Sequence, residues 1–398
     1  MSFKRSGLER QVLEIPKEVK WCKRCVVSNQ RPRIIFNEDG ICSGCINTDY
    51  KNNLVDWNAR EEELKALLDQ HRSSDGSWDV IVPSSGGKDS GYVAHQLRYE
   101  YNMNPLTVTW APLSYTDIGR KNLQSSIDCG LSNLLCTPNG KFQRKLARLC
   151  FEELGDAFHV FVLGQVSYPF HIASKLGVKL VFYGENGEAE YAGDPDFADK
   201  PYKPSSEFLK QHFKGVSFRE LLDFGLENKD YVSSNDYAES DLIFYEPPSE
   251  EELSRSGILG KHFFSYYKKW TPQENYYYVV ENCGFEPNPL RTEGTYSKYA
   301  SLDDKMDGFH YYLRFIKFGL GRCMEDASHE IRDGHLTREE AIALMGRYEG
   351  EFPEKYFPEF LEYLDITEDH FWDVVDSWRA EHLWEKKNNE WVFKTPIK

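Results

Sequence analysis

The stretch Val80-Ile-Val-Pro-Ser-Ser-Gly-Gly-Lys-Asp-Ser90 constrains the fold of this chain more than any other. An apolar run ends, a loop of small residues turns, and a helix-forming segment begins. Gly86 and Gly87 let backbone N–H groups approach an anion closely. The first turn of the following helix adds partial positive charge. Ser85 and Ser90 offer hydroxyl donors, and Lys88 can neutralise phosphate. Asp89 would repel a bare phosphate, so its expected role is to hold Mg2+. A plain glycine-rich turn is the alternative reading.

The flanking pattern extends this unit. Short apolar runs at 78–83, 105–110, 131–136 and 178–183 read as strands. Helical patterns at 90–101, 116–129, 141–154 and 165–176 separate them, and another polar helix is expected over 56–71. Such alternation predicts an α/β fold, a parallel sheet with helices on both faces and its ligand beyond the carboxyl ends of the strands. From about residue 194 the alternation fades. Residues 195–260 read as loop-rich, and 260–398 as mostly helical, rich in Tyr, Phe and Trp. Thr337 and Glu340 fit a capping box, with Gly350 expected to close that helix. The expected units are 1–55, 56–195 and 196–398.

Hydrophobic residues make up 40% of the 398 and aromatics 15%, enough for a sizeable core. Acidic residues outnumber basic ones 64 to 48, for a net charge of −16. That balance repels a phosphate backbone, so nucleic acid is not the expected partner. The first twenty residues are charged and hold no apolar signal core, and no run is long enough for a membrane span. The cytoplasm is the expected compartment, where the nine cysteines are ligands or buried thiols rather than disulfides.

Cys22-x-x-Cys25 and Cys42-x-x-Cys45, 16 residues apart, have zinc-knuckle spacing. Glu38-Asp39-Gly40 supplies a turn that brings the pairs together. Four thiolates would leave Zn2+ no open position, so the site is expected to be structural. Unligated or redox cysteines and an Fe–S cluster are the alternatives. The remaining five cysteines show no ligand spacing.

The loop is not a Walker A motif, since Asp89 follows Lys88 and Val82 stands where the earlier glycine belongs. The sequence SGGKDS instead resembles the PP-loop of the N-type ATP pyrophosphatases. That resemblance implies that ATP is split into AMP and pyrophosphate, with Lys88 and Asp89 in the chemistry. It also implies adenine near Thr109 and Trp110, and the loop at Gly184 and Glu185 near the nucleotide.

More of the chain narrows the resemblance. The knuckle, SGGKDS, TDIGRKNLQ, GQVSYPFHIASKLGVKLVFYGENGEAEY and RTEGTYSKYASLDDKMDGFHYYLRFIKFGLGR together resemble the N-acetyl sugar amidotransferases, over about residues 21–376. The resemblance implies conversion of an acetamido group of a nucleotide-activated acidic sugar to an acetamidino group, in the synthesis of bacterial surface polysaccharide. ATP would activate the amide oxygen, and ammonia would displace AMP. Position 2 is Ser and not Cys, and no second α/β domain is read that could carry a glutaminase, so none is expected within the chain. The resemblance implies a separate glutaminase subunit, often with a cyclase-like companion.

Within 305–322, Met306, Phe309, Leu313, Ile316 and Leu320 share one helical face. Asp307, His310, Arg314 and Lys317 form a polar stripe beside it, which reads either as facing a cleft or as a solvated face. Ser301 and Asp304 are expected to cap the helix, leaving Lys305 at its start as candidate cation on the α-phosphate. Arg291, Arg314, Lys317 and Arg322 are candidates for the sugar carboxylate or diphosphate.

Two other functions compete. A tRNA-thiolating PP-loop enzyme would also carry Cys knuckles, though it needs RNA contact that the acidic balance opposes. A zinc-knuckle scaffold with a dead nucleotide site would bind no ATP. The cysteine spacing yields a direct expectation: purified protein carries one zinc per chain, measured by metal analysis, and Cys42→Ser loses both the metal and stability. A metal content near zero in the unaltered protein would refute it.

Overall fold

A computed structural model describes residues 3–204, 215–228 and 230–398. Of the stretch read as loop-rich, 205–214 and 229 lie outside the described residues. Six strands form one sheet: β1 Val80–Pro83, β2 Pro105–Trp110, β3 Ser132–Cys136, β4 Leu180–Tyr183, β5 Tyr202–Pro204 and β6 Gly260–Phe263. Their order is β3-β2-β1-β4-β6-β5. Every neighbouring pair is parallel except β5 with β6.

The first six long helices are α1 Ser43–Asn53, α2 Trp57–His71, α3 Lys88–His95, α4 Asp117–Asp128, α5 Gly140–Leu154 and α6 His159–Leu176. Local chemistry explains their ends. The Asp56 carboxylate accepts from the N–H groups of Asn58 and Ala59 to start α2. The Thr116 hydroxyl accepts from Gly119 N–H to start α4. Gly155 and Gly177 close α5 and α6 in the left-handed conformation.

Alternation along the strands produces two cores. Val80, Val82, Leu180 and Phe182 point to one face, against Leu64 and Leu68 of α2 and Val93 and Ala94 of α3. Ile81, Leu106, Val108, Trp110 and Val181 point to the other, against α5 and α6. Six later helices follow, α7 Pro272–Cys283, α8 Asp307–Phe318, α9 Arg322–Asp333, α10 Arg338–Tyr348, α11 Phe357–Leu364 and α12 Glu368–Ser377, of which α8, α11 and α12 extend this second core. Phe309 of α8, Phe360 of α11 and Phe371 of α12 are wholly buried there. A third core packs the cysteine quartet, Val26 and Val27 against Met324 and Ala327 of α9 and Ala341 and Met345 of α10. The parallel sheet covered on both faces is therefore the one the strand–helix alternation predicts. No helix among the described residues is long and apolar enough to cross a membrane.

Three expectations need correction. The helix expected over 90–101 is α3 followed by a wider π-type turn, Gln96–Glu100. Helix α6 starts at His159, ahead of the expected 165, because its first turns are apolar on all sides and carry no period. The stretch read as loop-rich holds β5 and, at its end, the start of β6. The C-terminal region is mostly helical as expected, and it ends in a hairpin of β7 Trp384–Lys387 and β8 Glu390–Phe393. Its turn residues Asn388 and Asn389 have φ of 51° and 67°, as a two-residue primed turn requires.

Gly119 in α4 tests how tightly this arrangement is packed. A Cβ there would stand 2.5 Å from Asp303 Cα, in the lead-in to α8. Gly119→Ala is expected to cost about 1–3 kcal/mol in urea unfolding. A stability equal to the unaltered protein would show that the contact yields freely.

Candidate active site

The loop after β1 is shaped before any ligand arrives. Gly86 has φ 84°, and a Cβ on it would meet Leu123 N at 2.5 Å, so only glycine fits. The Ser84 hydroxyl accepts from Gly86 N–H at 3.2 Å and donates to Ser90 Oγ at 3.0 Å. Ser90 Oγ in turn donates to Gly87 O at 3.2 Å. Gly87 is the N-cap of α3 and contributes no side-chain cap, which leaves the first amides of the helix open to an anion. The Lys88 ammonium pairs with the Asp89 carboxylate and lies 5.4 Å from the centre of the Tyr299 ring. Asn275 of α7 donates to the other Asp89 oxygen at 3.4 Å.

Two clefts flank this loop and share Ser85, Gly87 and Asp89. The first, about 140 Å3, brings Gly86 and Lys88 opposite Asn122, Tyr299, Asp303 and Arg322. Its backbone amides and two cations suit phosphate groups. The second, about 210 Å3, is walled by Val108, Trp110, Phe161, Gln165, Tyr183 and Glu185. The Trp110 indole N–H and the Tyr183 hydroxyl are buried there without a hydrogen-bond partner among the described residues. An aromatic wall with unpartnered donors suits a base or ribose. Asp89 and Glu185 both face this cleft, and burial together with the Asp89 charge holds the Glu185 carboxyl above the usual range. Hard carboxylate oxygens crowded in this way fit Mg2+.

The structure brings Ser85, Gly86, Gly87, Lys88, Asp89, Ser90, Trp110, Gly184, Glu185 and Arg322 to these clefts. Thr109 is not among them: it is fully buried, and its hydroxyl accepts from Asn133 at 2.8 Å within the sheet. Arg322, the first residue of α9, also pairs with Asp326 at 3.0 Å and donates to the Tyr311 hydroxyl. The Glu349 carboxylate fixes the start of α9 by accepting from the Gly321 and Met324 N–H groups. Burial pushes Glu349 up to about 7, against the pull of those amides.

Other candidates sit elsewhere. Arg314 donates to Leu320 O and Gly321 O at 2.9 Å and pairs with Glu325 at 2.9 Å, so it closes the α8–α9 turn. Lys317 is buried and donates to Leu154 O at 2.7 Å, tying α8 to the end of α5. His310 of the same stripe contacts Asp156 at 3.0 Å. The stripe thus faces neighbouring helices, which neither sequence alternative foresaw. Arg291 and Lys305 line a separate, larger cavity. Helix α8 begins at Asp307, so Lys305 precedes it. Asp304 accepts from Leu113, Ser114 and Met306 N–H groups at 2.6, 3.2 and 2.9 Å, joining the lead-in of α8 to the loop after β2.

Asp303 had only been placed near a helix start. Burial and the Asp307 charge push its carboxyl up to about 6, while the Ser85 hydroxyl pulls the other way. The only sequence signal was the paired Asp303-Asp304.

The four sulfurs of Cys22, Cys25, Cys42 and Cys45 lie within 4.8 Å of one another, all buried. Cys25 and Cys42 are 3.6 Å apart, close to the edge of a zinc–thiolate tetrahedron with Zn–S bonds of about 2.3 Å. Arg24 and Cys42 N–H groups point at the Cys22 sulfur, each at 3.4 Å. This donor set fits a closed structural metal site. Arg332 stands against it: a Cβ on Gly44 would lie 2.5 Å from its guanidinium. Arg332 also donates to Glu190 O at 2.6 Å, and Lys51 of α1 grips both Glu190 carboxylate oxygens at 2.8 and 2.7 Å. Burial opposes ionisation of Glu190, yet the Lys51 ammonium and His329 hold it down at about 2. The cysteine module is thereby tied to the loop that carries Glu185.

The raised Asp303 carboxyl has a signed consequence. A folded-state pKa near 6, above the ordinary 3.8, means the folded protein holds that proton more tightly than the unfolded chain. Ionisation therefore costs stability as pH rises from about 4 through 6. Asp303→Asn is expected to be more stable than the unaltered protein at pH 7.5, by about 1–3 kcal/mol, with the gap closing near pH 4. Equal melting at both pH values would contradict it.

Comparison with known proteins adds the following. Residues 293–398 match the family model described as LPS biosynthesis protein WbpG-like, C-terminal domain. No curated protein sequence matches the chain significantly. Among solved structures, the NMN synthetase from Francisella tularensis is 12% identical, with 70% of this chain and 96% of that one covered, at a TM-score of 0.28. The U34-tRNA thiolase NcsA from Methanococcus maripaludis with its [4Fe-4S] cluster is 11% identical, with 79% and 86% covered, at a TM-score of 0.30. Likeness at that level carries no functional argument. Residues 293–398 are thus similar to the WbpG-like C-terminal domain of LPS biosynthesis proteins, which supports the family that the chain's motifs resemble.

Proposed function

We propose that the chain is an ATP-dependent amidotransferase, which converts an acetamido group of a nucleotide-activated acidic sugar to an acetamidino group in lipopolysaccharide synthesis. One observation carries the reading. The SGGKDS amides and Lys88 line a phosphate-sized cleft whose opposite wall, Tyr299, Asp303 and Arg322, comes from the WbpG-like domain. A general nucleotide loop and a family-specific domain thus meet at one place.

The chemistry is balanced as follows. The amide oxygen of the acceptor attacks the α-phosphorus of ATP, forming a P–O bond and breaking the one to pyrophosphate. Ammonia adds to the activated carbon, AMP leaves with the oxygen, and loss of a proton gives the amidine. The open amides of α3, Lys88 and Arg322 would take up the charge that develops on pyrophosphate. Mg2+, held by Asp89 and Glu185, would supply further neutralisation. Trp110 and Phe161 would seat the adenosine and keep water from it. Cys22, Cys25, Cys42 and Cys45 would hold a structural zinc with no open position, outside the chemistry. Ammonia would come from a separate glutaminase subunit, with or without a cyclase-like companion, in the cytoplasm where ATP and nucleotide sugars are available.

The test supplies ATP, Mg2+ and an N-acetylated, carboxylate-bearing nucleotide sugar with either ammonium or glutamine. Expected are AMP and pyrophosphate, and a sugar lighter by the difference between O and NH, with ammonium alone. Asp89→Asn is expected to lower turnover by roughly 10²-fold while the fold persists. Release of ADP, equal turnover with glutamine, or sulfur transfer to tRNA would overturn the reading.

A further inference from the structure

The cavity that holds Arg291 and Lys305 measures about 480 Å3, within the size range of small-molecule sites, and shares Ser301 and Leu302 with the phosphate cleft. Most of its wall lies inside 293–398, the region matching the WbpG-like domain. Its cations are not equivalent. Arg291 is clamped by both Glu351 carboxylate oxygens at 2.6 Å, so its charge is already balanced. Lys305 has one loose pair, with Glu359 at 3.5 Å. Lys355 reaches no carboxylate within ion-pair distance among the described residues. Both ammonium groups approach the Tyr356 ring, at 5.4 and 4.7 Å from its centre. Two incompletely balanced cations gathered about one ring make a seat for an anion.

Ser301 stands at the neck between this cavity and the phosphate cleft. Its φ of 54° is a left-handed conformation that a non-glycine residue adopts only under constraint. The constraint is visible. Leu302 O accepts from the Thr116 hydroxyl, Asp303 O from Thr116 N at 3.2 Å, and Ser114 O from Lys305 N at 2.8 Å. The Ser301 hydroxyl is buried and has no hydrogen-bond partner among the described residues.

We propose that this cavity holds the anionic part of the acceptor between Lys305 and Lys355, and that the Ser301 hydroxyl contacts the reacting centre where acceptor meets ATP; this rests on the amidotransferase reading. Ser301 forms no covalent bond. It donates a hydrogen bond to an oxygen that gains charge as the acceptor attacks phosphorus. The anion is a carboxylate on the sugar or the diphosphate of its carrier.

Calorimetric titration of the full chain with three probes separates those sources: UDP, free N-acetylglucosaminuronic acid, and the UDP-linked acid. The UDP-linked acid is expected to bind, and the fragment that also binds names the anion. The double variant Lys305→Ala/Lys355→Ala is expected to weaken it by about tenfold or more, with ATP affinity unchanged. Leu290, 76% exposed on the rim, offers an obstruction that leaves the core alone, and Leu290→Trp is expected to act likewise. Ser301→Gly relieves the backbone constraint and removes the hydroxyl. It is expected to melt no lower than the unaltered protein, keep both affinities, and slow AMP formation by about tenfold or more. A purely structural serine would leave that rate intact. Failure of every probe to bind, or unchanged binding in both pocket variants, overturns the cavity assignment, and full AMP formation in Ser301→Gly overturns the role of the hydroxyl. If the probe binds and the pocket variants lose it while no AMP forms in any protein, the cavity stands and the amidotransferase reading falls.

Discussion

The buried carboxylate of Asp304 joins the two halves of this molecule. It accepts N–H groups from Leu113 and Ser114, in the loop after β2, and from Met306, just before α8. Burial pushes its carboxyl far above the usual range, against the pull of those amides. Hydrogen bonds to an acidic side chain satisfy backbone groups that neither the sheet nor the helix satisfies. With that junction fixed, Asp303 reaches the PP-loop, Thr116 can start α4, and α8 begins where its apolar face meets the second core. Much of the phosphate cleft follows from this one local arrangement.

What the sequence disclosed divides along physical lines. The strand, loop and helix around Ser85 to Ser90 were legible because glycine, charge and apolar patterning act within a few residues. The cysteine quartet was legible for the same reason: metal spacing is local. Trp110, Glu185 and Arg322 reach the clefts as the family resemblance implied or as candidate residues. Arg314 and Lys317 formed a polar stripe on a helical wheel, yet they satisfy carbonyls at helix ends. A wheel reports direction but not what stands opposite. Asp303, Asn122 and Tyr299 were missed as site residues because the contacts that bring them to the loop span long stretches of chain. The hairpin at the C-terminus was legible after all in Asn388-Asn389, but an expected helical region masked it.

The cysteine module sits against the segment that follows Glu185 and is not a detached appendage. Arg332 lies between the quartet and Glu190, and α1 leads from Cys45 to Lys51, which grips the same Glu190. The negative charge that thiolates of the quartet would carry is thus offset by a cation that also holds the segment after Glu185. The quartet is coupled to the cleft through rigid connections alone.

The phosphate cleft also has a temporal side. The loop at Ser84 to Ser90 leaves the ribosome long before Tyr299, Asp303 and Arg322 have been translated. The nascent sheet can assemble with an open loop, but the facing wall arrives only with the last quarter of the chain. The cleft is therefore incomplete in every polypeptide that stops short of residue 322. A ribosome that stalls near residue 290 releases the loop without the wall that faces it.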